Sequence, residues 1–306
     1  MAQNTNQRFR KALLLINPAS RAASDADYER AVACLAESDI SVLPEKTQSS
    51  QHAKDLIREH SDSIDLVIIA GGDGTLSAVI DTLAEHQLAF AVFPLGTAND
   101  LARSLDLPLD IEKICEAIKH GRRRKIDLGK IGEHYFINAV TMGLGPKITQ
   151  ELSPELKRSW GVFSYVKAFF SAISKRRGFR VYLKADGKEF KLRSMHLVVG
   201  NGRFYGGGNV VNSESQIDDG LLQLYSLRPQ STLELLTLTP LLRTGYQSIV
   251  DRTFALSAKE VRIETKKPME LHADGEPLET KTPISIKNLP LALEAVVPPE
   301  ENNFFG

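Results

Sequence analysis

The sequence predicts a mixed α/β protein in two parts, an N-terminal three-layer α/β domain over residues 1–130 and an antiparallel sandwich or barrel-like domain over residues 131–306. Three observations predict it. Short, continuously apolar runs alternate with helical patterns through the first 120 residues, as expected of parallel strands covered on both faces by helices. After about Lys125 the runs are separated by tight turns, the pattern of an antiparallel sheet. Where the early strands give way to helices the chain is rich in glycine, most densely at Gly71-Gly72-Asp73-Gly74-Thr75.

Taken in order, Ala12–Ile16, Ile40–Leu43, Asp65–Ala70 and Phe90–Pro94 read as buried strands. Asp25–Glu37, Gln51–His60, Thr75–Glu85 and Ile111–Lys119 carry helical spacing, with Gly121 placed to cap the last of them. Further strands follow at Lys125–Ile131, Tyr135–Ala139, Arg180–Leu183, Lys188–Leu192, Met195–Gly200 and Leu221–Leu227. The series ends with Phe254–Leu256, Val261–Thr265, Met269–His272, Ile284–Lys287 and Leu291–Val296. An Asp186-Gly187 step between alternating arms predicts a type I′ hairpin. Helical patterns at Trp160–Lys175 and Ser231–Arg243 interrupt this half.

Composition sets bounds on function. Lys+Arg and Asp+Glu are both 38 of 306 residues, so bulk attraction to nucleic acid is not indicated. Cys34 and Cys115 are too few for a disulfide framework and read as buried free thiols in a reducing compartment. The N-terminal residues are polar, and no apolar run reaches the ~18 residues that span a bilayer. The expectation is a soluble, cytoplasmic protein, able to sit peripherally at the inner face of the membrane.

The Gly71–Thr75 elbow ends a strand and opens a helix, so bare backbone N–H groups and a positive helix end converge there. Read blandly, its glycines only let strand and helix pack closely. It lacks the third glycine of a dinucleotide fingerprint and the Gly-Lys-Ser/Thr of a P-loop. A carboxylate, Asp73, stands where charge-only phosphate binding would use lysine, which points to a metal–phosphate complex and a nucleotide-dependent phosphotransferase. A second elbow, Pro94-Leu95-Gly96-Thr97-Ala98-Asn99-Asp100-Leu101, offers Thr97 or Asn99 as helix cap. With a third strand end at Ile16-Asn17-Pro18-Ala19-Ser20, it builds a crevice where open α/β sheets bind ligands. His272-Ala273-Asp274-Gly275-Glu276 is a hairpin turn followed by either a solvated charge or a general base. The glycine-dense Gly200–Asn209 loop and Gln216-Ile217-Asp218-Asp219-Gly220-Leu221 read as a mobile loop and turn or as a hard-cation site.

In this order, GGDGT, PLGTANDLA, the strand Lys125-Ile126-Asp127-Leu128-Gly129, GNGRFYGGG with DDGLL, and DGEPL resemble the soluble diacylglycerol kinase and lipid kinase family, close to its bacterial YegS-type members. The resemblance implies a nucleotide-binding first domain, a β-sandwich-like second domain whose last strands return to the first, and an active site between the two. It implies ATP and Mg²⁺ as cofactors, a nucleotide site at Asn17, Pro18, Ala19, Ser20, Arg21, Thr47, Gly71, Gly72, Asp73, Gly74, Thr75, Leu76, Ser77 and Thr97, and Glu276 as general base. Asp73, Asp100 and Asp127 would organise magnesium and water, and Asp219 with Gln216 and Leu221 would hold a structural magnesium. Arg21 and Ser77 depart from a common glycine and asparagine, and Ser213 and Ser215 from a proline and an alanine.

The implied partner is a lipid such as diacylglycerol or phosphatidylglycerol at a membrane surface, with a homodimer compatible. Leu156–Arg180 carries Trp160, Phe163, Tyr165, Phe169 and Phe170 between basic ends, either an amphipathic membrane helix or a core-packing one. A kinase for a soluble nucleotide or sugar and a catalytically silent lipid- or nucleotide-binding regulator are the rival functions.

Overall fold

The computed structural model describes residues 9–18, 25–143, 178–228 and 253–299. The chain divides into two compact units, residues 1–128 with 290–306, and residues 129–289. The predicted helices at Trp160–Lys175 and Ser231–Arg243 lie outside the described residues. Among the described residues no helix is long and apolar enough to cross a membrane.

The first unit alternates strands and helices: β1 (Lys11–Ile16), α1 (Asp25–Ala36), β2 (Ser41–Lys46), α2 (Ser50–His60), β3 (Leu66–Gly71), α3 (Asp73–Ser77), α4 (Ile80–Glu85), β4 (Ala89–Pro94), α5 (Asp100–Ser104), α6 (Ile111–His120) and β5 (Arg122–Ile131). Strands β2, β1, β3 and β4 form a parallel sheet in that order. Every residue of β3 and β4 is buried, which is why their sequences are unbroken apolar runs. Ser49 accepts the His52 N–H and starts α2, and Asp110 accepts the Lys113 N–H and starts α6. The single helix predicted over residues 75–85 is two, α3 and α4, with Val79 at φ −116° and its N–H on Leu76 O at the junction. Gly121 caps α6 with extended backbone. A Cβ there would stand 2.1 Å from Ala117 O and 2.4 Å from Val297 O, so close approach requires the glycine.

The cysteines correct the sequence expectation. Cys34 in α1 and Cys115 in α6 are joined by a disulfide, with Cα atoms 6.3 Å apart, rather than standing as free thiols. The two helices lie side by side and are also linked by Arg30 and Glu112. Eighty-one positions separate the cysteines, so only the packing of α1 on α6 brings them together.

The second unit holds β6 (His134–Phe136), β7 (Ala139–Met142), β8 (Phe179–Ala185), β9 (Lys188–Ser194), β10 (His196–Gly200), β11 (Phe204–Tyr205), β12 (Asn209–Val210), β13 (Leu222–Leu227), β14 (Thr253–Ala258), β15 (Glu260–Thr265), β16 (Glu270–Ala273) and β17 (Glu276–Lys281). β18 (Ile284–Val297) pairs with β15 along its first half and with β4, at Ala295, along its second. The two strands predicted at residues 284–287 and 291–296 are thus one, with Leu291 at φ 52° between them. One sheet of this unit runs through β15, β8 and β9, and the other is β14-β13-β10-β7-β16-β17, all antiparallel. Alternate residues of both, among them Val181, Leu183, Val261 and Ile263 against Val140, Leu197, Leu222 and Leu271, share one apolar core. That pattern makes the unit a sandwich.

Candidate active site

In the first unit the ends of the parallel strands meet. A Cβ on Gly96 would lie 2.4 Å from Gly72 Cα, so the two glycine elbows touch backbone to backbone. Asp73 seals the contact: its Oδ2 accepts the Asp100 N–H at 3.1 Å and its Oδ1 the Leu101 N–H at 3.2 Å. The cap of α5 is therefore a carboxylate from the other elbow, not the side chain of Thr97 or Asn99. Asn99 sits at φ 51° and closes its own loop, donating to Pro94 O and Gly96 O at 2.9 Å and accepting the Gly96 N–H.

The ends of β1 and β2 join the same edge. Asn17 Nδ2 donates to Thr75 Oγ1 at 2.8 Å, and the N–H and hydroxyl of Thr47 both donate to Ile16 O. The gap between the elbows is only about 10 Å³, room for one water at most, so a ligand has to use the outer side, where Pro18, Gly74 and Thr97 are exposed. Ala19, Ser20 and Arg21 lie outside the described residues. Asp100 and Asp127 are buried carboxylates. Asp127 Oδ1 accepts the Leu291 N–H at 2.7 Å, which holds the positive-φ step of β18.

The second unit carries the Glu276 turn. Asp274 and Gly275 stand at φ 47° and 92°, a type I′ hairpin that joins Ala273 of β16 to Glu276 of β17. The Asp274 carboxylate does more than turn the chain. It accepts the N–H groups of Ile137, Asn138 and Ala139 at 2.8–2.9 Å. Those bonds take residues 137 and 138 out of the ladder, so the strand predicted over residues 135–139 is split into β6 and β7. Buried amides back the same segment, with Asn201 Nδ2 donating to Ile137 O and Asn288 Nδ2 to Asn201 Oδ1. Glu276 itself is exposed, and its carboxylate has no hydrogen bond or ion pair among the described residues.

In the Gln216–Leu221 turn, Asp219 Oδ2 accepts the Gln216 N–H at 3.1 Å and its Oδ1 the Leu221 N–H at 2.9 Å. Ser215 Oγ and Gln223 Nε2 approach Oδ2 at 3.4 Å. No group of three or more His, Cys, Asp or Glu side chains among the described residues is arranged to hold a metal. Deeper in this sandwich, burial lowers the His196 pKa to about 4, so the ring is neutral beside Tyr225. Burial and the neighbouring Tyr205 raise that of Tyr225 well above its ordinary value.

Sequence reasoning located the elbows and the turn before Glu276 and missed the clamp of Asp274 and the amides of Asn201 and Asn288. The Asp274 bonds span 135–137 positions, and no local pattern encodes them.

Comparison with known proteins adds the following. Residues 11–131 match the family model of the diacylglycerol kinase catalytic domain, and residues 138–297 that of the YegS C-terminal NAD kinase β-sandwich-like domain. A Yersinia enterocolitica protein named "Probable lipid kinase YegS-like" is 29% identical over 94% of this chain and 97% of its own length. Its namesake from Yersinia pestis is 33% identical over 78% and 80%. A diacylglycerol kinase from Staphylococcus carnosus is 29% identical over 80% and 81%. A crystal structure from Bacillus anthracis, provisionally assigned as a diacylglycerol kinase, superposes with a TM-score of 0.82 at 25% identity, covering 98% of this chain and 99% of that one.

Proposed function

The chain belongs to the diacylglycerol kinase family of lipid kinases, and from that premise we propose that it transfers the γ-phosphoryl group of magnesium-bound ATP to a lipid hydroxyl, with Glu276 as general base. The observation that carries the reading is the joined pair of elbows, Gly72 against Gly96 and Asp73 on the α5 backbone, which gathers glycine backbone and acidic side chains at one sheet edge.

Under this reading Asn17, Pro18, Thr47, Gly71, Gly72, Gly74, Thr75, Leu76, Ser77 and Thr97 contact the nucleotide. Asp73 and Asp100 are carboxylates of the hard-donor type a cation such as magnesium takes, the first held on the backbone of the second, and Asp127 is the third acid of the set. Bound there, magnesium would neutralise charge on the transferring phosphates. Asp219 keeps lone pairs on Oδ1 beyond its one N–H, so with carbonyls of Gln216 and Leu221 it suits a second hard ion. Glu276 has no competing partner among the described residues and is free to take the proton of the lipid hydroxyl as the P–O bond forms. Diacylglycerol, phosphatidylglycerol and related lipids all offer such a hydroxyl. ATP is a cytoplasmic reagent, so the reading places the enzyme in the cytoplasm, meeting lipid at the inner membrane face.

The test is transfer of labelled phosphate from ATP to a panel of lipids and soluble alcohols. Label in the lipid phase is expected. Label only in the aqueous phase would mean a soluble acceptor, and none would mean a silent binding protein. Asp73→Asn should lower turnover by roughly 10²-fold or more at saturating magnesium. Full activity in that variant would remove Asp73 from the mechanism.

A further inference from the structure

We propose that Tyr28 of α1 is a positioning residue of the nucleotide site. Acting through Asn17, it fixes the Thr75 hydroxyl so that its hydrogen is directed to a phosphate oxygen of the nucleotide. Tyr28 is none of the residues assigned above to nucleotide binding or phosphoryl transfer. The inference deepens the kinase reading and rests on it for the identity of the ligand.

Asn17 follows the last residue of β1 and is held on three sides. Its N–H donates to Ala70 O of β3 at 3.3 Å, and its Nδ2 donates to Thr75 Oγ1 at 2.8 Å. Its carbonyl accepts the hydroxyl of Tyr28, eleven positions along the chain. The first of these bonds pins the peptide before Asn17 and the last pins the peptide after it. The direction of its Cα–Cβ bond, and with it the reach of the amide to Thr75, is therefore set from both ends. Tyr28 is 7% exposed. Phenylalanine would fill the same space, and a shielded hydroxyl is costly unless it is bonded, so the bond to Asn17 is what the hydroxyl adds. The phenol is delivered by a braced helix: further along α1, Arg30 pairs with Glu112 and Cys34 is joined to Cys115, both on α6.

Thr75 is the receiving end. Its oxygen accepts from Asn17, while its own hydrogen has no acceptor among the described residues. The hydroxyl is thereby oriented as a donor, the polarity that a phosphate oxygen requires. Gly71 shapes the other side. A Cβ there would stand 2.6 Å from Thr75 Oγ1, so the absence of one lets the hydroxyl lie against the end of β3. Thr75 is half-buried beside the exposed Gly74, within reach of a ligand on the outer side of the elbow. Without the Tyr28 hydroxyl the peptide after Asn17 loses this restraint, and the aim of Thr75 loosens with it.

The test is calorimetric titration with magnesium and a non-hydrolysable ATP analogue, in the absence of lipid. Tyr28→Phe keeps the ring and removes the hydroxyl, and a hydrogen bond of ordinary strength corresponds to roughly fivefold weaker binding. Thr75→Val removes the donor and should weaken binding at least as much. Adding Tyr28→Phe to Thr75→Val should cost nothing further, because no hydroxyl is left to aim. Tyr182→Phe, an exposed tyrosine of β8, should bind as wild type does. In turnover Tyr28→Phe should raise KM for ATP by the same factor at unchanged kcat. A change that only loosened the fold would lower the active fraction, and so the apparent kcat, at unchanged KM. Wild-type affinity in Tyr28→Phe, losses that add in the double variant, or a fall in kcat at unchanged KM would overturn the proposal. A chain that shows the expected binding pattern and yet transfers no phosphate would break the kinase reading alone. A wild-type chain that binds no analogue would end both.

Discussion

Two hairpins of the sandwich share one turn chemistry and differ in what they deliver. Asp186-Gly187 and Asp274-Gly275 both have positive φ at both residues, 46° and 84° in the first, 47° and 92° in the second. In each, the aspartate also clamps a distant backbone. Asp186 accepts the N–H groups of Lys259 and Glu260, and Asp274 those of Ile137, Asn138 and Ala139. The next residue opens a strand in both, Lys188 of β9 and Glu276 of β17. An Asp-Gly step is thus scaffold in both hairpins, and the difference lies in one side chain and in the segment gripped. Asp274 holds a segment backed by the amides of Asn201 and Asn288, which fixes the base of the turn that presents Glu276.

The largest effect expected from this comparison is on chemistry. Glu276→Gln keeps shape and removes the base, so turnover should fall by ~10²- to 10⁴-fold. Lys188→Gln, at the matching position of the other hairpin, should leave turnover unchanged. Both sites are exposed, so neither variant should shift the unfolding midpoint. A Glu276→Gln enzyme as fast as wild type would end the assignment of the base.

A middle effect separates the clamps. Hydrogen bonds to a charged acceptor contribute about 1.5–3 kcal/mol each when shielded and less in water. Asp274 is half-buried and Asp186 exposed. Asp274→Ala should therefore cost about 3 kcal/mol of stability and Asp186→Ala about 1 kcal/mol. Only the first should also lower kcat, because it frees the turn that carries Glu276. Denaturant titration and lipid turnover on both variants measure the two quantities separately. If kcat fell equally in both, the clamp would matter only through global stability.

The same hairpins show what a sequence can state. The type I′ turn at residues 186–187 was legible because Asp-Gly between alternating arms is a local signal. The buried strands β1, β3 and β4 were legible as unbroken apolar runs. β17 was not: Glu276-Pro277-Leu278-Glu279-Thr280-Lys281 is largely polar, being among the described residues the outermost strand of its sheet, where charge deters further pairing. The glycines at 72 and 96 read as space for phosphate, and they also let two elbows touch, a requirement that no single elbow reveals. The cap of α5 by Asp73, the grip of Asp127 on Leu291 and the Cys34–Cys115 bond are likewise contacts between segments far apart in the chain. Motif order located the acids. Packing showed the backbone contact each makes.

The smallest effect tests whether the turn is rigid. An added Cβ at Gly187 or Gly275 would meet nothing within 4 Å, so alanine there costs only backbone strain. That strain is roughly 1–2 kcal/mol for a non-glycine residue at positive φ, and it should be alike at the two sites. Equal losses of stability in Gly187→Ala and Gly275→Ala are expected in denaturant titration. If Glu276 is held by the Asp274 clamp, Gly275→Ala should keep most of its kcat, since three backbone bonds still fix the turn. A large kcat loss at equal stability would show that turnover requires this hairpin to change shape, and would place the control of Glu276 in the glycine instead of the aspartate.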